Sequence, residues 1–171
     1  PRKNLMRVMK AFSKFTGECV SGDPYQLVIV GSKDFAHGKF FQEMVKTQGE
    51  TLGDVIFTGY VDQQDLNCLY ACAEAFVFPS LYEGFGFPVI EAMASGTPVI
   101  TSDRTSLPEV AGEAALKVNP EDTDAIFEGM RLFAMDNSAR NEFIQKGFQR
   151  IKNFSWSKTA RETLAVYEAL C

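Results

Sequence analysis

The chain has little with which to build a metal centre, a nucleic-acid face or a membrane anchor. Its 171 residues include one histidine, His37, and its four cysteines (Cys19, Cys68, Cys72 and Cys171) form no CxxC pair. Ligands at metal-binding spacing are missing, so no metal is expected. Cys68 and Cys72 stand four apart on a helical stretch, and the simplest reading makes them small core-facing residues in a reducing compartment. Lys and Arg number 17 against 22 Asp and Glu, for a net charge of -5. The cations are scattered, which leaves no basic footprint for nucleic acid or an acidic membrane. No apolar run approaches the roughly 20 residues of a membrane span, and the opening PRKNLMRVMKAF has no signal-peptide core. The expectation is a soluble, cytoplasmic chain without a membrane span. Internal repeats, low-complexity tracts and linkers are also absent.

What is present suits one globular domain. Hydrophobic residues make up 46% and aromatics 12%, enough for one sizeable core. Residues 4–15 place Leu5, Met6, Val8, Met9, Phe12 and Phe15 at helical spacing. Apolar runs at 26–31, 55–59, 75–79, 98–102 and 114–118 then alternate with helical stretches at 39–49, 62–73 and 88–95 and a short turn of helix at 107–112. Strands that are hydrophobic throughout are buried on both faces, which predicts a Rossmann-like α/β fold: a parallel sheet with helices on both sides. Three stretches from residue 119 onward each open on a capping residue or an acidic cluster and predict three closing helices. A doubly wound domain usually starts on a strand, and this chain starts on a helix. The expectation is therefore a fragment that begins just after its first strand.

The stretch FVFPSLYEGFGFPVIEAMASGTPVITSD (76–103) carries the chemistry. In open parallel sheets ligands bind outside the carboxyl ends of the strands, where 79–87 lies. Gly84 and Gly86 permit a sharp turn and close approach of backbone to a ligand, and Pro88 suits the first position of a helix. The free N–H groups and partial positive charge of that helix start form a seat for an anion, most often phosphate. Glu91, one turn in, can accept two hydrogen bonds from a vicinal diol, and Glu83 faces the other side of the seat. A Glu in a first turn is also favoured by the helix dipole alone, and a lone GxG is weak. The combination in one run is what points to a ligand site.

PSLYEGFGFPVIEAMASGTPVITS, with RKN upstream, GYV then LYACA, and SLPEVAG downstream, resembles the nucleotide-diphospho-sugar-binding half of a retaining GT-B-fold glycosyltransferase of family four, "group 1". The resemblance covers essentially all of the chain, 1–171, as the C-terminal donor-binding domain. It implies that Glu91 holds the ribose hydroxyls, and that Glu83 and the backbone of Gly84, Phe85 and Gly86 meet the donor sugar near its reacting carbon, with Glu83 as the catalytic candidate. Phe87 and Val89 are implied to give N–H groups to the diphosphate, Lys3 to bind the same phosphates, Val61 to lie against the nucleobase and Gly31 to line the cleft. The only ligand implied is the nucleotide-sugar donor, with no cofactor. The acceptor-binding domain that precedes this one in the family is absent here, so the isolated fragment is expected to be inactive.

In the parent enzyme the bond from anomeric carbon to phosphate loosens toward an oxocarbenium-like state, and negative charge grows on the nucleoside diphosphate. Lys3 and the helix start can meet it without metal, and no DxD pair follows an apolar strand. Rival readings are weaker. An NAD-binding oxidoreductase domain is imitated by Gly84, Gly86 and Asp103, yet Val89 stands at the third glycine and Glu83 would oppose a pyrophosphate. A glycosidase pair leaves the phosphate seat unexplained. No GxSxG occurs for a serine hydrolase. A non-catalytic nucleotide-sugar-binding module is the alternative outside the enzymes. Ser106 to Glu109 read equally well as ligand contacts or as a capped turn covering the sheet edge. Phe154 and Trp156 are expected to anchor the last helix by packing, and Leu164, Val166, Tyr167 and Leu170 to be partly uncovered and favour self-association.

Overall fold

The structure is a computed structural model that describes residues 2–19, 25–31 and 54–170. Helix α1 (Leu5–Cys19) leads to strands β1 (Leu27–Val30) and β2 (Val55–Gly59), followed by α2 (Gln63–Cys72) and β3 (Phe76–Phe78). Then come α3 (Phe87–Ala94), β4 (Val99–Ser102), α4 (Leu107–Ala111) and β5 (Ala115–Val118), and the chain closes with α5 (Thr123–Met135), α6 (Asn137–Ile151) and α7 (Trp156–Glu168). Helix starts follow capping chemistry. The side chains of Asp62, Asp122, Asp136 and Ser155 accept N–H groups from the first turns of α2, α5, α6 and α7, groups that have no partner within the helix.

Among the described residues every strand pair is parallel, as expected from the apolar runs. On one face Val8, Phe12 and Phe15 of α1 pack with Ile126, Phe127 and Phe133 of α5 against Ile100. On the other, Val89 and Met93 of α3 and Leu107 and Val110 of α4 pack against Val99, together with Tyr70 of α2. Val99 and Ile100 thus enter opposite cores, and β4 is buried at all four positions. Each such side chain contributes about 1.5–3 kcal/mol of burial.

Three expectations are corrected. Among the described residues the strands form two hydrogen-bonded pieces, β1–β2 and β3–β4–β5, which α1 joins by packing near Leu27 and Val55 of one and Val77 of the other. In the first piece Val28, Val30 and Ile56 are each 39% exposed, so burial on both faces holds for β4 but not for β1 or β2. Cys68 and Cys72 are exposed free thiols: α2 turns Leu66 and Tyr70 inward, and residues two positions on lie on the opposite side of the helix. Helix α7, whose apolar residues are expected to be partly uncovered, has no buried residue. The expected helix 39–49 and His37 lie outside the described residues. No helix among the described residues is long and apolar enough to cross a membrane.

Candidate functional site

The turn between β3 and α3 sits at the carboxyl end of β3, and its shape follows from its glycines. Gly86 caps α3 in a left-handed conformation, φ 109°, where a Cβ would stand 2.6 Å from Leu107 Cδ2. Both constraints exclude larger residues. Helix α3 accordingly starts at Phe87, one residue before the expected Pro88, and Pro88 still falls where no backbone donor is needed. The N–H of Val89 donates to the Gly86 carbonyl at 3.0 Å, and Val89 is fully buried. The N–H expected to serve a diphosphate is thus engaged in the first turn of the helix.

Glu83 is 8% exposed and held from all sides. Lys3 Nζ donates to its Oε1 at 2.7 Å, Arg2 Nη1 lies 3.5 Å from its Oε2, and its own N–H donates to Thr105 Oγ1 at 3.2 Å. Lys3 also stands 4.3 Å from the centre of the Phe78 ring. The segment carrying these cations is fastened to the end of β3: Leu81 N–H donates to the Arg2 carbonyl at 2.9 Å, and Asn4, buried with φ 59°, donates to the Pro79 carbonyl at 3.0 Å. Arg2 and Lys3 thus stand at the mouth of the turn although some 80 residues separate them from Glu83 in sequence.

Glu91 is half-buried on α3, and the Tyr70 hydroxyl donates to its Oε2 at 3.4 Å. Burial first, and then the Glu91 charge, push the Tyr70 phenol well above its ordinary value. The two carboxylates therefore have separate partners. Gly31 and Val61 lie at the carboxyl ends of β1 and β2; Gly31, φ 143°, donates its N–H to the Gly59 carbonyl at 3.0 Å. The rings of Phe85 and Phe87 pack on each other at 4.7 Å. Phe85 meets Phe154 edge-on at 6.0 Å and Phe87 stacks on Trp156 at 5.9 Å. The expected anchoring of α7 by these aromatics is thus made on the glycine turn, with Trp156 still 77% exposed.

Sequence reasoning missed Tyr70 and Thr105 and left Ser106 undecided. Ser106 makes no side-chain capping bond to α4; its hydroxyl lies 3.0 Å from the Glu83 carbonyl and 2.9 Å from that of Phe85. No local pattern marks these contacts, since the partners are about twenty residues apart. The site as built gathers two cations and a helix start, which attract an anion, beside two carboxylates able to accept hydroxyl groups.

The profile of the family described as "Glycosyl transferases group 1" matches residues 1–150. The chain belongs to the group 1 glycosyl transferases. It is 37% identical over 170 residues to the O-antigen chain mannosyltransferase B of Escherichia coli, covering 99% of this chain and 44% of that protein. The sucrose-phosphate synthase structure from Thermosynechococcus elongatus superposes with a TM-score of 0.83 at 29% identity, over 99% of this chain and 42% of the other. The C-terminal domain of a group 1 family glycosyl transferase (LpcC) from Francisella tularensis shares the fold, with a TM-score of 0.74 at 24% identity, covering 89% of this chain and 79% of that one. This group 1 domain thus spans less than half the length of the mannosyltransferase it matches. Its α/β parallel architecture is that of one half of a GT-B enzyme.

Proposed function

We propose that this chain is the C-terminal, donor-binding half of a retaining, metal-independent glycosyltransferase that moves a hexose from a nucleoside diphospho-sugar to an acceptor held by a preceding domain. The observation that carries the reading is the convergence of Lys3 and Arg2 on Glu83 at the mouth of the turn that opens α3. Lys3 has three donors, so it can keep Glu83 while reaching a phosphate oxygen. As the anomeric bond loosens, Lys3, Arg2 and the α3 N-terminus stabilise the charge growing on the leaving diphosphate. Glu83 faces the sugar, Glu91 accepts the ribose hydroxyls, and Gly31 and Val61 border the nucleoside side of the cleft. The name of the mannosyltransferase relative makes a mannosyl group the first donor sugar to test. The exposed thiols of Cys68 and Cys72 suit a reducing, cytoplasmic setting.

A first strand is part of this reading. Among the described residues β1 pairs only with β2, and β3 only with β4, while residues 2 to 4 bond to the backbone at the end of β3. A strand lying between β1 and β3 and leading into Arg2 would unite the two pieces under α1. The functional test is calorimetry with nucleoside diphosphates. Glu91→Ala is expected to weaken binding at least tenfold, about 1.4 kcal/mol, and unchanged affinity refutes the ribose assignment.

A further inference from the structure

We propose that Ser106 is a positioning residue that aims the glycine turn at the donor sugar; this rests on the donor-binding reading above. One hydroxyl, with one proton, stands 3.0 Å from the Glu83 carbonyl and 2.9 Å from the Phe85 carbonyl. It bridges the two acceptors and so holds both carbonyls on one side of the turn. No peptide bond among the described residues is cis. In a planar trans peptide the C=O and the following N–H point in opposite directions. Turning the Glu83 carbonyl toward Ser106 therefore turns the Gly84 N–H away from it. Gly84 is exposed, and a Cβ there would meet nothing within 4 Å, which leaves room for a ligand to approach the turn at this residue.

The mould itself is tied down by hydrogen bonds. Thr105 adopts φ 56°, rare for a residue with a branched side chain, and in that conformation its Oγ1 receives the Glu83 N–H at 3.2 Å. The Arg104 N–H donates to Ser102 Oγ at 3.1 Å, and its guanidinium is tied to Glu121 at 2.6 Å and Asn119 at 3.1 Å. Leu107, next in sequence, lies under Gly86. Residues 104 to 107 thus fix the backbone of residues 83 to 86 from below, while Lys3 and Arg2 hold the Glu83 carboxylate. Ser106 touches the backbone of the sugar-facing segment and neither Glu91 nor the nucleoside side, so its loss should be felt at the sugar and not at the base.

The test uses the transferase that carries this domain, with whichever of UDP, GDP or ADP raises its melting temperature most, and the hexose conjugate of that diphosphate. Ser106→Ala is expected to lower kcat at least tenfold and to weaken the nucleotide-sugar by a similar factor, while affinity for the bare diphosphate stays within twofold. Ser106→Thr, which keeps the hydroxyl, restores kcat to within about threefold. If Ser106→Ala does not fold, Thr105→Val, which removes the acceptor of the Glu83 N–H at constant volume, shows the same split between sugar-nucleotide and diphosphate. Normal turnover by Ser106→Ala, or equal weakening of diphosphate and sugar-nucleotide without rescue by threonine, overturns the inference alone. Failure of the wild-type protein to bind any of the three diphosphates overturns the donor reading and this inference with it.

Discussion

Tyr70 shows how one residue joins fold and site. Its ring is buried in the core beneath α3, edge-on to Phe76 at 5.2 Å, while its hydroxyl reaches Glu91. The fold favours the neutral phenol, because burial and then the Glu91 charge raise its pKa above the ordinary value of 10.0. This contribution to stability is fully present below about pH 10 and is lost as pH climbs toward the raised value. Chemical denaturation between pH 8 and 11 is expected to show stability falling on the alkaline side, with Tyr70→Phe flattening that limb; an unchanged slope in the variant refutes the linkage. The same geometry explains why Tyr70 escaped sequence analysis. In LYACA it reads as one more apolar helix position, and its polar end acquires meaning only when α2 and α3 pack. Lys3 is the opposite case. Its role was implied by resemblance, and the structure places it 2.7 Å from Glu83.

At the scale of elements, α7 differs from every other helix among the described residues. Its first residue, Trp156, stacks on Phe87 at the start of α3, and its remaining length is exposed. The helix therefore touches the candidate site at one end only. Trp156 is also the sole tryptophan, which makes it a reporter: a ligand seated at the α3 N-terminus is expected to shift or quench its emission in a fluorescence titration. A flat titration with a diphosphate that demonstrably binds would separate Trp156 from the site. Periodicity legibly marked α7 as a helix, while the expectation that Leu164, Val166, Tyr167 and Leu170 are uncovered came from the family resemblance. The partners of Trp156 were not legible, since Phe87 lies some seventy residues upstream. Cys68 and Cys72 teach a related lesson. Spacing put them correctly on one face of α2, but which face turned inward was decided by Leu66 and Tyr70.

For the whole molecule, an open α7 predicts behaviour in solution. A chain of these 171 residues is expected to self-associate through the apolar residues of α7, seen as a mass above the monomer in light scattering as concentration rises; a monomer throughout refutes it. The sequence by itself determined the alternation of strands and helices, the parallel sense of the pairing and the glycine turn, because these depend on local periodicity, on apolar runs such as PVITS, and on backbone freedom at Gly84 and Gly86. It also carried the family, through motifs that lie within short spans. Tertiary structure alone decided that the described strands fall into two hydrogen-bonded pieces and that the N–H of Val89 is taken by Gly86. It alone decided, too, that Thr105 and Ser106 hold the backbone around Glu83. These outcomes depend on hydrogen-bond direction and on contacts between distant segments, and a linear pattern of residue types encodes neither until the chain has folded.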